Sequence, residues 1–221
     1  QHNDTGTFVY DILGERWAED LGWEDYKVQN TYGYSASDIY RMRAEGHNVL
    51  VINPSSEPGQ KAKRFVPIKN YGSSENEAFV TADLSELYEN SESVKMGYFI
   101  GDNMQSVTAR YEIECSENTE IYWFMHTKAD INIENGGAYL TKNGKKIYLR
   151  FECENASAEI SKMKAEPLPT SPQIDVQNKN TEYSKVAVKL TGKGKMTLTV
   201  KLSPIEITNI KNDSLDNWKT E

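Results

Sequence analysis

From Ala78 onward, apolar and polar side chains alternate in short segments that turn signals separate. Alternation with a period of two residues is typical of strands that bury one face. Asn143-Gly144 and Gly192-Lys193-Gly194 are two of the separators, and both favour tight turns between antiparallel strands. The predicted strands are 78–82, 94–100, 107–114, 120–126, 130–133, 138–141, 146–151, 158–163, 184–190 and 195–202.

The first third of the chain adds a hairpin, a loop and a central strand. Segments 6–13 and 15–21 alternate on either side of Gly14, which predicts an antiparallel hairpin. Residues 22–37 predict a long irregular loop with several exposed aromatic rings, and long loops of this kind are usually functional or packed under another element. The apolar run 49–52 predicts a buried strand, which the charged stretch 40–46 enters through a turn.

These elements together predict an all-β fold, a two-layer antiparallel β-sandwich. A length of 221 residues is enough for one β domain with a sizeable core. We expect a single domain over residues 1–210 and a polar C-terminal tail over residues 211–221. The chain starts without Met and inside a dense polar motif, so we expect the working protein to include residues before Gln1.

Charge and composition limit the classes of partner that the chain can bind. The formal net charge is -8 and the longest basic patch is the short stretch 61–64, which argues against non-specific nucleic-acid binding. No apolar run approaches the roughly 20 residues of a membrane-spanning helix. Cys115 and Cys153 lie just after the predicted strands 107–114 and 146–151, where they either pair or stay as two buried free thiols, the simpler interpretation.

Three polar side chains are candidates for a metal site. In an antiparallel hairpin the start of one strand lies beside the end of its partner, so His2 and Asp20 fall at the same edge, where His47 can meet them. Two imidazoles and a carboxylate suit tetrahedral Zn²⁺ with one open position. The spacing alone is not specific. The alternative is a disordered terminal His2, a turn carboxylate at Asp20 and a hydrogen-bonded loop histidine at His47.

Four motifs carry a family resemblance. They are HNDTGTF at 2–8, GERWAEDLG at 14–22, YRMRAEGHN at 40–48 and WFMHT at 123–127. In order and approximate spacing they resemble successive motifs of the heparinase II/III-like polysaccharide lyases, over roughly the first 165 residues. In that family these motifs belong to a C-terminal β-sandwich domain that follows an (α/α) toroid.

The resemblance implies a site and a reaction. His2, Asp20 and His47 match the family's zinc ligands, and the metal would order loops at the interface of toroid and sandwich. The implied reaction is β-elimination on a uronic-acid polysaccharide, in a periplasmic or secreted bacterial enzyme. The general base tyrosine and a carboxylate-neutralising Asn or His belong to the toroid, upstream of Gln1, so the isolated chain is expected to be inactive.

Further residues are candidates for contact with substrate. Arg41 and Arg43 alternate with Met42 in a predicted strand, so they either bind a uronate carboxylate or sulfate together or form ordinary ion pairs. Tyr26 and Tyr40 either contact sugar or serve as ordinary tyrosines of a sheet.

Two further polar residues have expected roles other than binding metal or sugar. Asn48 is expected to hold the turn beside His47, as a residue that orients a metal ligand. His126 is expected to be a hydrogen-bonded core histidine.

The chain departs from the family pattern, and two other functions stay open. An acidic pair common in the family's strand equivalent to 107–114 is replaced by Arg110-Tyr111-Glu112, which puts the substrate class in doubt. An acidic chain also suits a less charged uronan, unless a basic toroid supplies the positive potential that a sulfated glycan needs. The alternatives are a non-catalytic carbohydrate-binding module that uses the aromatic loop 23–34, and a purely structural β module.

Overall fold

A computed structural model describes residues 2–220 and shows an all-β fold, as predicted. One five-residue helix, α1 (Tyr26–Asn30), lies in the predicted loop 22–37. The strands are β1 (Tyr10–Ile12), β2 (Glu15–Ala18), β3 (Leu50–Ile52), β4 (Ile68–Ser73), β5 (Ala78–Asp83), β6 (Ser93–Gly101), β7 (Ser106–Thr127), β8 (Asp130–Glu134), β9 (Gly137–Lys142), β10 (Lys145–Lys164) and β11 (Ser184–Ser203).

Strands β1 and β2 form the predicted hairpin, and the others form one antiparallel sheet. Its order is β4-β5-β6-β7-β11-β10-β9-β8, and β3 pairs with the second half of β7. The first half of β7 pairs instead with β6. The long strands β7, β10 and β11 therefore continue from a larger half of the sheet into a smaller one. Side chains from both halves meet in one core cluster, which gives the predicted sandwich.

The long strands are each continuous where the sequence predicts two strands. The register of β10 shifts between Glu154 and Ala156, where Asn155 has a φ of 59°, and that of β11 shifts between Gly192 and Gly194. A β-bulge inserts an extra residue and bends a strand without ending it. The polar and glycine residues at these places therefore mark bulges in a continuing ladder, and the prediction of separate strands was wrong.

The approach to β3 also differs from its prediction. Tyr40–Met42 and Ala44–Gly46 are short 3₁₀ helices, so Arg41 and Arg43 do not share one face of a strand. A Cβ atom on Gly46 would collide with the carbonyl oxygen of Tyr40, so the tight turn requires glycine there.

Strand β3 is buried on both faces, which accounts for its continuous apolar run. Leu50 and Ile52 lie in the main core, whereas Val49 and Val51 lie in a second cluster with Phe124. Burial on both sides fixes this strand and therefore the position of His47 and Asn48 ahead of it. This is the element that places the candidate site.

The segment predicted as a polar tail packs against the sheet. Leu215–Asn217 is a 3₁₀ helix, and Leu215 and Trp218 are buried in one cluster with Phe79 of β5 and Phe99 of β6. Arg110 and Glu112 help to hold this segment, since Glu112 accepts a hydrogen bond from the Leu215 amide at 2.9 Å.

Two further observations concern the cysteines and the helices. Cys115 and Cys153 are free thiols on β7 and β10, which β11 separates; Cys115 is buried as expected, whereas Cys153 is only half-buried. Among residues 2–220, no helix has the length and apolar character needed to cross a membrane.

Candidate functional site

The structure brings His2, Asp20 and His47 together at one edge of the sandwich. His47 Nδ1 lies 2.9 Å from Asp20 Oδ2, and the ring centroids of His2 and His47 are 5.2 Å apart. Asp20 follows the end of β2, as the hairpin argument requires. The N-terminal segment is held in place because the Asn3 amide donates to the Met42 carbonyl at 2.9 Å.

The electrostatics of this cluster favour a charged Asp20 carboxylate and a neutral His2 imidazole. The hydrogen bond from His47 lowers the pKa of Asp20 to about 2, against its partial burial, and the Gly22 amide assists at 2.7 Å. Burial and the neighbouring His47 lower the pKa of His2. A neutral imidazole beside an ionised carboxylate is the protonation state in which these groups bind metals.

One atom of the cluster lacks a partner. His47 Nε2 is buried and has no hydrogen-bond partner among residues 2–220. A buried polar atom without a partner costs free energy, so such atoms often mark a missing ion or water. With Asp20 on Nδ1, Nε2 is the atom of His47 that is left to bind a ligand.

The donor set fits a metal only in part. Within the described part of the chain, no group of three or more His, Cys, Asp or Glu side chains has a geometry that could hold a metal ion. Asp20 contacts the ring of His47 and so occupies the position of a carboxylate that orients a metal-binding histidine. The two imidazoles and the free Nε2 are therefore the features that suit a metal.

Asn48 holds the turn beside His47. Its Nδ2 donates to the carbonyl oxygens of Phe8 at 2.8 Å and Glu19 at 3.0 Å, and its Oδ1 accepts from the His126 amide at 2.7 Å. This carboxamide joins the start of β3 to β7 and to the residue before Asp20. Its contacts agree with the positioning role expected from the sequence.

A buried chain of hydrogen bonds continues inward from Asn48. The Oδ1 atom of Asn48 lies 3.2 Å from His126 Nδ1, and His126 Nε2 lies 2.8 Å from the Tyr40 hydroxyl. Lys185 Nζ donates to that hydroxyl at 2.9 Å and to the carbonyl oxygen of Glu166 at 3.1 Å. The donors run in one direction, so the contacts favour the His126 tautomer with its proton on Nδ1. His126 is thus a hydrogen-bonded core histidine, as expected.

Lys185 belongs to this series of hydrogen bonds, and it was not predicted from the sequence as a buried residue near the candidate site. It is fully buried, and its ammonium group lies 4.3 Å from the centroid of the Phe124 ring. The only available signal was the alternation of β11, which places Lys185 on the same face as the buried Ala187. A lysine at such a position usually reaches solvent, so the pattern alone could not identify it.

Lys185 predicts a pH dependence of stability. Burial lowers its pKa to about 8, although the charges of Glu45 and Glu166 oppose the shift, whereas a lysine in the unfolded chain titrates near 10.5. Between these values the unfolded chain binds more protons, so the free energy of unfolding rises with pH. From pH 8 to about 9.5 we expect a gain of about 2 kcal/mol in urea unfolding.

Two matched variants test whether Lys185 causes this rise in the free energy of unfolding. Lys185→Met should abolish the rise, whereas Lys189→Met, on the same strand, should keep it, because a hydrogen bond with Glu120 raises the pKa of Lys189. A rise of the same size in Lys185→Met would show that another group causes it. Above about pH 10 buried tyrosines reverse the trend, since burial raises their pKa.

Two of the predicted substrate contacts are buried. Arg43 donates to the carbonyl oxygens of Ser37, Ser55, Ser56 and Glu57 and pairs with Glu45 at 3.2 Å. These contacts occupy its guanidinium and match the ion-pair alternative for this residue. Tyr40 has no exposed surface, and its hydroxyl lies between His126 and Lys185. The geometry gives both residues structural roles in place of the predicted contact with sugar.

The other two predicted contacts face solvent. Arg41 is half-buried, and Tyr26 is 67% exposed at the start of α1. Tyr26 stacks on Trp23, which is 65% exposed, with ring centroids 5.7 Å apart and an interplanar angle of 25°. Trp23 lies three residues after Asp20, so this aromatic pair is close in sequence to the imidazole cluster.

Comparisons with known proteins support the fold. No family model matches the chain, and no curated protein matches its sequence. The structure of heparan sulfate lyase HepC from Pedobacter heparinus is similar to it with a TM-score of 0.63 and 10% identity, over 94% of this chain and 31% of that one. A heparinase III is similar with a TM-score of 0.62 and 12% identity, over 92% of this chain and 30% of that one.

These similarities confirm the resemblance at the level of the fold. The chain spans about 30% of the length of those enzymes, which is consistent with one domain of a larger protein.

Proposed function

We propose that this chain is the metal-binding β-sandwich domain of a polysaccharide lyase that cleaves uronic-acid-containing glycans by β-elimination. The observation that carries the proposal is the gathering of His2, Asp20 and His47, with an unpartnered Nε2, on the fold of part of a heparinase III. Zn²⁺ is the preferred ion, because imidazole nitrogen is among its usual ligands.

The chain's own residues would prepare the metal site. His2 and His47 would supply nitrogen ligands, and Asp20 would fix the ring of His47 through Nδ1 or join the ligand set. Asn48 holds the backbone on both sides of the site. A bound Zn²⁺ would supply positive charge that ties the N-terminal segment to the entrance of β3.

The elimination itself would need groups from another part of the protein. A base must remove the proton at C5 of the uronate, which is feasible only when the adjacent carboxylate is neutralised so that the enolate charge is tolerated. The glycosidic oxygen at C4 then leaves with a proton. We propose that an N-terminal (α/α) toroid supplies the base tyrosine and the neutralising residue. A periplasmic or secreted location stays a prediction.

The metal is tested by its content in purified variants. We expect the chain to bind zinc, and His2→Ala, Asp20→Ala and His47→Ala each to lower both zinc content and melting temperature, because an ion that binds only the folded state stabilises it. At a zinc concentration about 100 times Kd the stabilisation is about 2.7 kcal/mol. Inductively coupled plasma mass spectrometry and thermal melting with and without a chelator measure the two effects.

His126→Gln is the matched control, since this third histidine lies in the buried hydrogen-bond chain and is not a proposed ligand. It should keep the zinc content of the parent chain even if its melting temperature falls. Unchanged zinc in His47→Ala would remove that residue from the site. A chain that takes up no zinc would refute the metal.

The lyase activity is tested with the full-length protein and the isolated chain. We expect full-length protein to generate the absorbance of unsaturated uronate products and the isolated chain to generate none. Turnover by the isolated chain would show that the catalytic groups lie within these residues.

The exposed pair Trp23 and Tyr26 favours a second candidate, a carbohydrate-binding module without catalysis. Glycan binding that survives His47→Ala and zinc removal, together with an inactive full-length protein, would support that alternative.

A further inference from the structure

The exposed segment that begins three residues after Asp20 combines two features that recognise sugar acids. The stacked rings of Trp23 and Tyr26 are exposed, and the guanidinium of Arg41 is held to the same segment, with Nη1 2.9 Å from the Trp23 carbonyl oxygen. Aromatic rings pack on the C–H faces of sugars, and guanidinium groups bind carboxylates. We propose that Trp23, Tyr26 and Arg41 form a subsite for one unsulfated uronate residue of a glycan.

The backbone that carries the two exposed rings is held in place by hydrogen bonds and a buried side chain. The Glu24 carboxylate, which is buried, accepts from the amides of Asp25 and Asn178 at 2.9 and 3.0 Å. Asp25 caps α1 by accepting from the Lys27 amide at 2.9 Å, and Val28 of α1 is buried against Ile39, Met42 and Ile174. A backbone fixed in this way presents the two rings with little loss of conformational entropy on binding.

Arg41 has donor capacity to spare. Its Nε donates to Asn180 Oδ1 at 2.7 Å and its Nη1 to Trp23, whereas Nη2 makes no hydrogen bond within residues 2–220. The two bonds fix the plane of the guanidinium, and the half-buried side chain keeps access to solvent. Arg43, two residues later, has no such capacity because the protein uses its donors. Arg41 is therefore the arginine of this pair that can take a carboxylate.

The surrounding charge sets the substrate class. Within five residues of Trp23 in the sequence lie acidic residues that include Asp20, Glu24 and Asp25, and one lysine, Lys27, and the chain carries a formal net charge of -8. A heavily sulfated glycan would meet a net acidic segment in which Arg41 is the arginine with a free donor. One carboxylate per ring, placed on Arg41 while the C–H face packs on Trp23, suits the site better.

This subsite rests on the proposed function for its place in a lyase, but its chemistry is independent of the metal. The intrinsic fluorescence of the chain offers a direct probe, because Trp17, Trp123 and Trp218 are buried and Trp23 is the exposed indole among its four tryptophans. A sugar that stacks on Trp23 should change the emission and protect it from quenching by iodide.

The experiment titrates the zinc-loaded 221-residue chain with an unsulfated oligosaccharide of alternating glucuronate and N-acetylglucosamine. Parallel titrations use the same oligosaccharide with its carboxyl groups reduced to alcohols and a sulfated heparin oligosaccharide. We expect saturable binding of the unsulfated uronate, at least about tenfold weaker binding of the reduced sugar, and no tighter binding of the sulfated one.

Variants assign the effect to residues. Tyr26→Ala should weaken binding about tenfold, and Arg41→Gln should remove the preference for the carboxylate over the reduced sugar. Isothermal calorimetry extends the measurement to Trp23→Ala, which loses the fluorescent probe. Phe65→Ala is the control, since Phe65 is 84% exposed in the segment between β3 and β4 and should leave binding unchanged.

The outcomes separate this subsite from the proposed function. Zinc uptake without uronate binding, equal binding of the reduced sugar, or unaltered binding by Trp23→Ala would overturn the subsite and leave the metal proposal intact. Uronate binding that persists in His47→Ala supports the subsite, even if zinc uptake or lyase activity of the full-length protein fails.

Discussion

Replacing Arg43 by methionine is expected to destabilise the chain by about 3–5 kcal/mol, because it leaves a buried carboxylate without its counter-charge. Arg43 and Glu45 are both almost fully buried and pair at 3.2 Å. Four carbonyl oxygens, in the loop before the 3₁₀ helices and in the loop after β3, also lose their donor. Urea unfolding followed by circular dichroism measures the change.

Two controls separate the buried charge from the loss of an arginine. Arg16→Met breaks the exposed pair with Asp11, 2.8 Å long, and should cost less than about 1 kcal/mol. Arg43→Lys keeps the charge but lacks the planar fork that reaches several carbonyl oxygens at once, so its stability should fall between the two. A melting temperature of Arg43→Met equal to that of the parent chain would contradict the buried ion pair.

Around Arg43 the sequence predicts the buried strand correctly but not the backbone that leads into it. The run around His47 and Asn48 was predicted to enter a buried strand, and β3 confirms this, because apolar periodicity reports burial directly. The same run was predicted to carry Arg41 and Arg43 on one strand face. The 3₁₀ helices there arise from tight turns that Gly46 permits, and such turns leave no periodic signal.

The continuity of the long strands β10 and β11 could not be predicted from the sequence for a related reason. Asn155 and Gly194 are residues of turns, and they do have positive φ angles, but in β10 and β11 they form bulges within a ladder that continues. Strand β4 was missed because most of its side chains are exposed, so it lacks the alternation by which the other strands were found. Local composition identifies the irregular residue, whereas the partner strand decides whether the ladder ends there.

The part of the candidate site that depends on strand pairing was predictable from the sequence. An antiparallel hairpin predicts Asp20 and His2 at one edge, and the structure brings both to His47. The contact between Asp20 and His47 Nδ1 could not be predicted, because it depends on side-chain orientation. Lys185 and Glu45 were also out of reach, since their burial depends on partners distant in the sequence.

Replacing Trp218 by alanine tests the C-terminal segment, which the sequence predicted as a polar tail. We expect a loss of about 3–5 kcal/mol, because the indole is buried against Phe79 and Phe99 and its deletion removes apolar contacts and leaves a cavity. Removal of residues 211–221 should cost at least as much, since it also uncovers both phenylalanines. Urea unfolding and binding of an apolar dye measure the two effects.

The sheet side of the same contact supplies an independent variant. A Cβ atom on Gly97 would meet Leu215 and Trp218 at 2.5 and 2.6 Å. Gly97→Ala should therefore displace the segment although no residue of the segment itself is changed. Lys219→Ala, at an exposed position one residue after Trp218, should change stability by less than about 0.5 kcal/mol. A free tail predicts no effect from any of these changes, whereas a docked segment predicts that Trp218→Ala and Gly97→Ala are not additive, since both undo one contact.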